Sequence, residues 1–340
     1  MKILALLHTQ TDGTLHKNAL ETLAVAVQLK TQLSASLSVG LLGANAVEAS
    51  NLIAGCGAEA FLVVNDNLLT QPRYATDATA TTALIQAAGA EIVLAPNTSR
   101  FARCLPGTAH RTNAQVDTHI VALCGENGAI HAQRWFYRQR ILASLSRTAR
   151  PWILLLDSGI TAPWQGPAGT AKPQIIDAQF TEADQRTTIT GVQAPLADAQ
   201  TIRPDAAILL VAGAGWTKKQ KDGQHHISEA GQLIQSFLQK AKASLGSSKS
   251  LVDLQTEGQE TLSFMSHMNQ VGQTGSTPRH AKGLSTCCHG EEPHAVGWRF
   301  INERRAVNLD ANCGWAQGKA DVVYVGDAFE IISKVNALLN

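Results

Sequence analysis

The sequence has almost no net charge. Its 340 residues include 28 lysines and arginines against 27 aspartates and glutamates, for a formal net charge of +1 at pH 7. Proteins that bind nucleic acids or anionic membrane surfaces usually present an excess of basic side chains to them. The charge balance therefore supports neither class, and we expect no nucleic acid among the partners of this chain.

Long hydrophobic runs are also missing. No apolar stretch reaches the roughly 18 residues that suggest a membrane-spanning helix, although 44% of the chain is hydrophobic. The apolar run at residues 1–7 stops at His8 and lacks both the length and the small-residue cleavage site of a secretory signal. We interpret this run as a first strand and expect a cytoplasmic protein with no direct membrane insertion.

Cysteines are few and lack the spacing of a metal-binding motif. The six cysteines are Cys56, Cys104, Cys124, Cys287, Cys288 and Cys313, and no two of them form a C-x-x-C pair. Free thiols are the usual interpretation in a cytosolic chain of this size. Thiolates also suit metal ions and iron–sulfur clusters, so the adjacent Cys287 and Cys288, with His289 beside them and Cys313 further along the chain, leave a metal or iron–sulfur site open as an alternative.

The first part of the chain alternates between strand and helix patterns. Apolar runs typical of strands buried on both faces of a parallel sheet occupy residues 2–7, 37–42, 60–64, 91–95 and 151–156. Helical patterns cover residues 18–32, 48–55 and 79–89, and a polar turn at 97–103 leads into a helix ending near residue 112. Residues 133–137 and 140–146 are expected to pair as strands. This order predicts an α/β fold with a doubly wound parallel sheet.

Glycine and proline interrupt the middle of the chain, where three prolines and two glycines fall between residues 163 and 173. We therefore predict a first domain over residues 1–160, a linker or edge segment over 161–203 and a second domain over 204–340. In the second domain we expect strands at 205–213 and 321–325, helices at 227–244 and 328–339, and a small-residue turn at 245–249.

Three short motifs near the C-terminus occur in an informative order. They are QVGQTG at residues 270–275, AVNLD at 306–310 and ADVVYVGD at 320–327. In this order they resemble the FAD-binding half of the electron-transfer flavoprotein (ETF) alpha subunit. The resemblance extends to the first half of the chain. There, LAPNT at 94–98, LP at 105–106 and an arginine-containing segment at 134–138 are similar to the N-terminal domain of that family.

The resemblance implies both a fold and a function. The first domain is expected to be of the adenine-nucleotide-hydrolase-like type, and the second to be a smaller parallel-sheet domain that binds FAD. The protein would be the alpha subunit of a heterodimer with an ETF beta subunit. It would carry electrons on FAD from a flavin dehydrogenase to a quinone reductase or an iron–sulfur protein. We therefore expect an electron carrier without catalytic residues that transform a substrate.

A dinucleotide needs hydrogen-bonding groups at its phosphates and riboses. Unpaired amides at turns bind phosphate well, and α/β proteins bind ligands beyond the carboxyl ends of their strands. Glycine turns, short polar side chains and carboxylates after strands meet these needs, and Asp327 is suited to accept from a ribose hydroxyl. With the resemblance, they give the candidate FAD-binding residues Gly213, Gly215, Ser248, Lys249, Gln273, Thr274, Gly275, His289, His294, Asn308, Asp310 and Asp327.

The segment that usually contacts flavin departs from the family pattern. The family reads G-I-S-G-A-x-Q-H where this chain reads CCHGEEPH at residues 287–294, so His289 and Pro293 replace the serine and the glutamine. Lys249 stands in place of the family's arginine over the flavin ring, keeping its charge without its planar fork. These departures leave open a degenerate scaffold subunit that binds no flavin.

Two further basic segments have simpler interpretations. Residues 218–226, which contain three lysines and two histidines, are expected to form a solvated loop after the glycine turn. Arg134, Arg138 and Arg140 bracket aromatic residues on the expected strand pair. One of these arginines is a candidate contact for flavin or for a partner subunit, and the others are expected to be surface charges.

Overall fold

The chain folds as two compact units, residues 1–192 and residues 193–340. The structure is a computed structural model, and it describes residues 1–137, 141–191, 202–203, 206–256, 260–271, 280–286 and 301–339. Unit 1 contains a large, mostly parallel sheet and unit 2 a separate, all-parallel sheet. The predicted α/β class, with two parallel-sheet domains, is confirmed.

Unit 1 is built from nine described strands and four described α-helices. The strands are β1 (Lys2–His8), β2 (Ser36–Leu42), β3 (Ala60–Val64), β4 (Ile92–Pro96), β5 (Gln115–Glu126), β6 (Ala129–Phe136), β7 (Ile141–Leu145), β8 (Trp152–Leu156) and β9 (Gln174–Ile175). The helices are α1 (Lys17–Leu33), α2 (Ala46–Leu52), α3 (Tyr74–Ala88) and α4 (Ser99–Arg111). The sheet order is β7-β6-β5-β8-β4-β1-β2-β3-β9.

Strand β1 shows why this sheet is buried on both faces. Successive side chains of a strand point to opposite faces. Ile3, Ala5 and Leu7 accordingly join one apolar core with residues of α1 and α2, while Leu4 and Leu6 join a second core with residues of α3 and α4. All five side chains are 2% exposed or less. An uninterrupted apolar run is therefore what this central position requires.

Strands β5, β6 and β7 extend the sheet by antiparallel pairing. The sequence interpretation included β6 and β7 but omitted β5, which pairs in parallel with β8 and antiparallel with β6. The register of β5 shifts around His119, whose φ of 58° is left-handed. That shift interrupts the period-2 alternation by which a strand is usually recognised, so the pattern was not visible in the sequence.

Residues 161–191, which we expected to form a linker or edge segment, belong to unit 1. Strand β9 pairs with β3 at the edge of the sheet. The backbone N–H of Gly169 donates to the carbonyl of Asn51 at 2.9 Å, and Oγ1 of Thr79 donates to Asp184 at 3.1 Å.

Unit 2 contains five described strands and four described α-helices. The strands are β10 (Ile208–Ala212), β11 (Ser244–Ser247), β12 (His280–Thr286), β13 (Ile301–Asn308) and β14 (Val322–Val325). The helices are α5 (Ile227–Lys240), α6 (Lys249–Thr256), α7 (Gly314–Lys319) and α8 (Ala328–Leu338). The sheet order is β11-β10-β12-β13-β14, and every pair is parallel.

The expected turn at residues 245–249 is wrong, because most of this segment forms β11. The small residues here serve close packing: a Cβ added at Gly246 would collide with the side chain of Val271 and lie 3.3 Å from Leu209. The expected helix over residues 227–244 is correspondingly shorter and ends at Lys240. Glycine is a poor strand former, so tertiary packing decides the conformation of this segment.

The described helices are short. The longest, α1, has 17 residues, and among the helices of the described residues none combines the length and apolar character needed to cross a bilayer.

Candidate functional site

The carboxyl ends of the five parallel strands of unit 2 lie side by side at one edge of the sheet. Ala212 at the end of β10 is in register with Ser247 of β11 and with Thr286 of β12. Asn308 at the end of β13 is in register with Val325 of β14. Because open α/β sheets bind ligands outside the carboxyl ends of their strands, this edge is the candidate functional site.

The turn after β10 is held against β12. The backbone N–H of Gly213 donates to the carbonyl of Thr286 at 3.2 Å, and Nε1 of Trp216 donates to Oγ1 of Thr286 at 2.7 Å. The carbonyl of Gly215 accepts from Nε2 of Gln220 at 3.0 Å. Gly213, Gly215 and Trp216 are all buried. The backbone N–H of Gly213 is thus already hydrogen-bonded within the protein, and the turn has a fixed conformation at this edge.

Two adjacent serines at the end of β11 differ in their hydrogen bonds. Ser248 donates its backbone N–H to the carbonyl of Ala212 at 2.8 Å, and its Oγ accepts from the N–H of Leu251 at 3.2 Å, as residues before a helix commonly do. The buried Oγ of Ser247 has no hydrogen-bond partner among the described residues. An unsatisfied buried polar group costs about 1–3 kcal/mol, which makes the Ser247 hydroxyl a candidate contact for a ligand.

Lys249 begins α6, directly after these serines. Its side chain is 64% exposed, and Nζ lies 3.7 Å from Oδ2 of Asp253 one turn further along the helix. Nδ1 of His267 lies 3.8 Å from the other carboxylate oxygen of Asp253. Exposed pairs at this helical spacing contribute only about 0.3–0.5 kcal/mol. The ammonium group of Lys249 can therefore leave Asp253 for an anionic ligand at little cost.

The described chain enters the QVGQTG motif beside β11. Gln270 forms an isolated parallel bridge with Ser247, and the N–H of Val271 donates to the carbonyl of Ser247 at 3.0 Å. The first two residues of the motif thus lie at the same edge as the serines. The predicted site residues Gln273, Thr274, Gly275, His289 and His294 lie outside the described residues, as do Cys287 and Cys288.

Asn308 ends β13 with half of its amide unsatisfied. Its Oδ1 accepts from the backbone N–H of Asp310 at 2.9 Å. The side chain is fully buried, and Nδ2 has no hydrogen-bond partner among the described residues. Asp310 is exposed, and its own Oδ1 accepts from the N–H of Asn312 at 2.8 Å. Asn308 therefore supplies a buried donor to the edge, while Asp310 orders the turn behind it.

Asp327 follows β14 and begins α8. Its Oδ1 accepts from the backbone N–H of Phe329 at 2.8 Å, which caps the helix. Its Oδ2 lies 3.8 Å from Nζ of Lys221, and the side chain of Asp327 is only 10% exposed. At that distance the lysine makes an ion pair without a hydrogen bond. The oxygen Oδ2 thus keeps its capacity to accept from a ligand hydroxyl.

The unsatisfied groups are spread along the edge. Ser247 and Asn308 are separated by three strand spacings in the order β11-β10-β12-β13, which is about 14 Å at ~4.8 Å per spacing. Asp327 lies beyond Asn308, after the next strand. A ligand that reaches this hydroxyl, this amide donor and this carboxylate has to be elongated. A dinucleotide such as FAD has that form.

A family comparison identifies the relatives of this chain. The model of the electron transfer flavoprotein domain matches residues 3–183, which is more than half of the chain. The chain belongs to the electron transfer flavoprotein family. Members of this family generally bind flavin and typically associate with other subunits and with dehydrogenases. No curated protein matches the chain.

The electron transfer flavoprotein domain of this chain carries its own polar cluster, at the carboxyl edge of the first sheet. Nδ2 of Asn97 donates to Oδ1 of Asp157 at 2.6 Å, and Nδ1 of His119 lies 3.3 Å from the same oxygen. The hydrogen bond with Asp157 raises the pKa of His119. The sequence interpretation missed this cluster. Its three residues come from three separate strands or strand ends, so no local motif marks it.

Arg134 has a defined place in the electron transfer flavoprotein domain. Nη1 of Arg134 donates to Asp117 at 3.3 Å, and its guanidinium lies 4.5 Å from the centre of the Phe136 ring. Asp117 also accepts from Arg147 and from Nε1 of Trp152. Arg134 therefore joins neighbouring strands of unit 1. Arg138 and Arg140, the other two arginines considered for a flavin or partner contact, lie outside the described residues.

The cysteines of the described residues are free thiols. Cys56 and Cys104 are buried, Cys124 is exposed and Cys313 is partly exposed. Burial raises the pKa of Cys104 to about 12, so this thiol stays protonated at neutral pH. In the part of the chain that the structure describes, no three histidine, cysteine or acidic residues come together as a metal site.

Lys221 is one of the residues of this edge that sequence reasoning missed. It lies in the segment 218–226, which we interpreted as a solvated loop, and its side chain is indeed 72% exposed. Its ammonium group nevertheless lies beside Asp327, which is 106 positions away in the sequence. The three lysines directly after the glycine turn were the available signal, but only the fold relates them to the end of β14.

Proposed function

We propose that this protein is the alpha subunit of a heterodimeric electron transfer flavoprotein and that unit 2 binds FAD. The observation that carries the proposal is the carboxyl edge of the second sheet. There, the buried Ser247 Oγ and Asn308 Nδ2 have no hydrogen-bond partner among the described residues, and the carboxylate of Asp327 follows the neighbouring strand β14. Family membership supports a flavin as the ligand.

The side chains at this edge have separate roles in holding the cofactor. Oδ2 of Asp327 accepts from a hydroxyl of the adenosine ribose, and Nδ2 of Asn308 donates to the same half of the dinucleotide. Ser247 and Ser248 form the other end of the site, and Lys249 supplies a positive charge there. Gly213 and Gly215 form the turn between these two ends.

The residues outside the described ranges complete the proposed site. Gln273, Thr274 and Gly275 continue the motif that enters the edge at Val271, and His289 and His294 belong to the segment that contacts flavin in the family. Asp310 supports the site through its backbone N–H, which orients the Asn308 amide. When bound, FAD supplies the redox chemistry, and these residues bind, orient and charge-stabilise it.

The proposed partners follow from the role of a carrier. The ETF beta subunit completes the heterodimer, a flavin dehydrogenase delivers electrons, and a quinone reductase or an iron–sulfur protein accepts them. The division of the chain into two units supports a carrier whose flavin domain is separate from the domain that binds the partner.

A second candidate function is a scaffold subunit that has lost its flavin. The replacement of the family's glutamine by Pro293 and of its arginine by Lys249 favours this alternative, because both changes remove hydrogen-bonding groups from the proposed site. An iron–sulfur variant, with Cys287 and Cys288 among its ligands, is the third possibility.

One absorption spectrum separates the three candidates. The chain is co-expressed with its ETF beta subunit, purified as the pair and measured between the ultraviolet and the red. We expect the two visible bands of oxidised flavin, with FAD identified after release. A colourless complex would support the scaffold, and a broad brown absorbance would support the iron–sulfur variant. Either result would contradict the proposed carrier.

A further inference from the structure

The segment between β10 and α5 is a small hairpin rich in lysine. Residues 217–225, here called the lysine hairpin, contain Lys218, Lys219 and Lys221. Lys219 and His225 form an antiparallel bridge. The N–H of Gln220 donates to the carbonyl of Gln224 at 2.9 Å, and the turn is completed by a glycine at position 223 with a φ of 78°. These contacts pair the two arms of the hairpin with each other and give it an ordered backbone.

The base of the lysine hairpin is fixed to the strand edge. The preceding residue, Trp216, is buried and hydrogen-bonded to Thr286 at the end of β12. Nδ1 of His225 donates to the carbonyl of Thr217 at 2.8 Å, and Nε2 of Gln220 donates to the carbonyl of Gly215 at 3.0 Å. These hydrogen bonds therefore hold the base of the hairpin beside the ends of β10 and β12, within the candidate site.

The tip of the hairpin contacts the far end of the same site. Nζ of Lys221 lies 3.8 Å from Oδ2 of Asp327, the carboxylate oxygen that the helix cap leaves unused. The contact spans the sheet edge from the loop after β10 to the end of β14. Lys221 is 72% exposed, so it approaches Asp327 from the solvent side.

We propose that the lysine hairpin is a flap over the adenosine end of the bound dinucleotide and that Lys221 is the positioning residue that holds it closed. This inference rests on the proposed binding of FAD at unit 2. Lys221 pairs with the carboxylate that accepts the ribose hydroxyl, so the flap and the nucleotide are held by the same group. The nucleotide leaves only after this pair opens.

The physical character of the pair sets the expected size of the effect. An exposed ion pair is weak and is screened by salt, because the Debye length falls from about 30 Å at 0.01 M to about 3 Å at 1 M. Loss of Lys221 should therefore speed FAD release by up to about fivefold, which corresponds to ~1 kcal/mol. The difference should be largest at low ionic strength.

The test measures the rate of FAD dissociation from the full chain purified with its beta subunit. The recovery of free-flavin fluorescence after dilution is followed at about 0.01 M and 1 M salt. The variants are Lys221→Ala, Lys221→Arg and, as a matched control, Lys219→Ala. Lys219 is an exposed lysine of the same hairpin that has no ion pair among the residues described by the structure, so its removal changes the charge without opening the contact between Lys221 and Asp327.

We expect faster release from Lys221→Ala at low salt, no difference at high salt, wild-type behaviour of Lys221→Arg and little change in Lys219→Ala. Equal rates in Lys221→Ala and Lys219→Ala would overturn the flap while leaving the flavin site intact. Slower release from Lys221→Ala would also overturn it, since Lys221 would then compete with the nucleotide. A wild-type protein that holds no FAD would overturn the proposed function and the flap together.

Discussion

Arg100 binds the buried carboxylate of Asp77 through two parallel hydrogen bonds, from Nε to Oδ2 at 3.0 Å and from Nη2 to Oδ1 at 2.6 Å. Asp77 is 0% exposed and Arg100 is 7% exposed. Arg100 also donates to the carbonyl of Leu69 at 2.8 Å. The pair joins α3 to the first turn of α4 and so fixes the helices that cover one face of the first sheet.

The first prediction concerns the cost of breaking this pair. Arg100→Met should lower the free energy of unfolding by about 3–5 kcal/mol, because it leaves a buried carboxylate without its main partner. The double variant Asp77→Leu/Arg100→Met should recover most of that loss. Denaturant titration of the full chain measures both. Arg103→Met is the control: its Nη2 lies 4.0 Å from Asp77 and its side chain is 46% exposed, so we expect a loss under about 1 kcal/mol. Equal losses for both single variants would contradict the account.

The second prediction concerns His8, which is partly buried at the end of β1. Its Nδ1 donates to the carbonyl of Thr9 at 3.1 Å, and its Nε2 accepts from Oγ1 of Thr98 at 2.8 Å. Burial lowers the pKa of His8 from its ordinary 6.5 to about 4. Between these pH values the unfolded chain binds a proton that the folded chain does not, so stability falls as the pH falls. A pKa lowered from 6.5 to about 4 corresponds to a loss of about 3 kcal/mol of folding free energy across this range.

His8→Gln should flatten that loss between pH 6.5 and 4, because glutamine keeps the polar contacts without titrating in this range. Unfolding midpoints measured across the interval test the claim. His119→Gln gives the opposite control, since the pKa of His119 is raised by Asp157. The contribution of His119 to folding stability is complete below the pKa of His119 in the unfolded chain and is lost as the pH rises through its pKa in the folded protein. Identical pH profiles for wild type and His8→Gln would refute the prediction.

Much of the fold was predictable because single strands carry their own signal. β1 was identified from one apolar run, and its burial on both faces confirms that interpretation. β11 was misread as a turn, because its serines and glycine acquire a strand conformation only from the contacts of Gly246 with neighbouring side chains. β5 was missed because the left-handed His119 interrupts its alternation.

The candidate site was also predictable only where its features are local in the sequence. Asn308 and Asp327 were expected where strands end, and the structure places them there, since a motif and a strand end are both local features. Ser247 and Lys221 matter through relations that cross the sheet. The unpaired hydroxyl of Ser247 reflects its surroundings, and the approach of Lys221 to Asp327 depends on the strand order. No local sequence pattern predicts either of these two relations.

The third prediction concerns the redox potential of the flavin. A nearby cation stabilises the reduced, more negative flavin, so Lys249→Ala should lower the potential. Lys282→Ala, which removes an exposed lysine nearer the opposite end of β12, should leave it unchanged. His289, with an ordinary pKa of about 6.5, should add a pH-dependent increment that His289→Ala removes. Redox titration at several pH values measures both effects. Unchanged potentials in Lys249→Ala and an unchanged pH dependence in His289→Ala would exclude the tuning role.

The fourth prediction concerns the partner subunit. We expect the ETF beta subunit to be required for a stable protein and to bind unit 1. Tyr137, Ile141 and Leu142, on or beside β6 and β7, expose 75%, 51% and 43% of their surface, and exposed apolar patches often mark interfaces. Ile141→Glu should therefore reduce co-purification of the beta subunit. Leu52→Glu, at an exposed position on α2, is the control. A stable, monodisperse monomer with bound flavin, expressed alone, would show that no partner is required.

The central claim is that Asp327 holds FAD at the edge of the second sheet. The decisive measurement is the dissociation constant of FAD for wild type, Asp327→Ala and Asp327→Asn, each purified with the beta subunit. A charge-assisted hydrogen bond contributes about 1.5–3 kcal/mol, so Asp327→Ala should weaken FAD binding roughly ten- to hundredfold. Asp327→Asn keeps a helix-capping side chain and loses the charge, so its dissociation constant for FAD should lie between those of wild type and Asp327→Ala. Full flavin content in Asp327→Ala after dialysis, with an unchanged dissociation constant, would contradict the account.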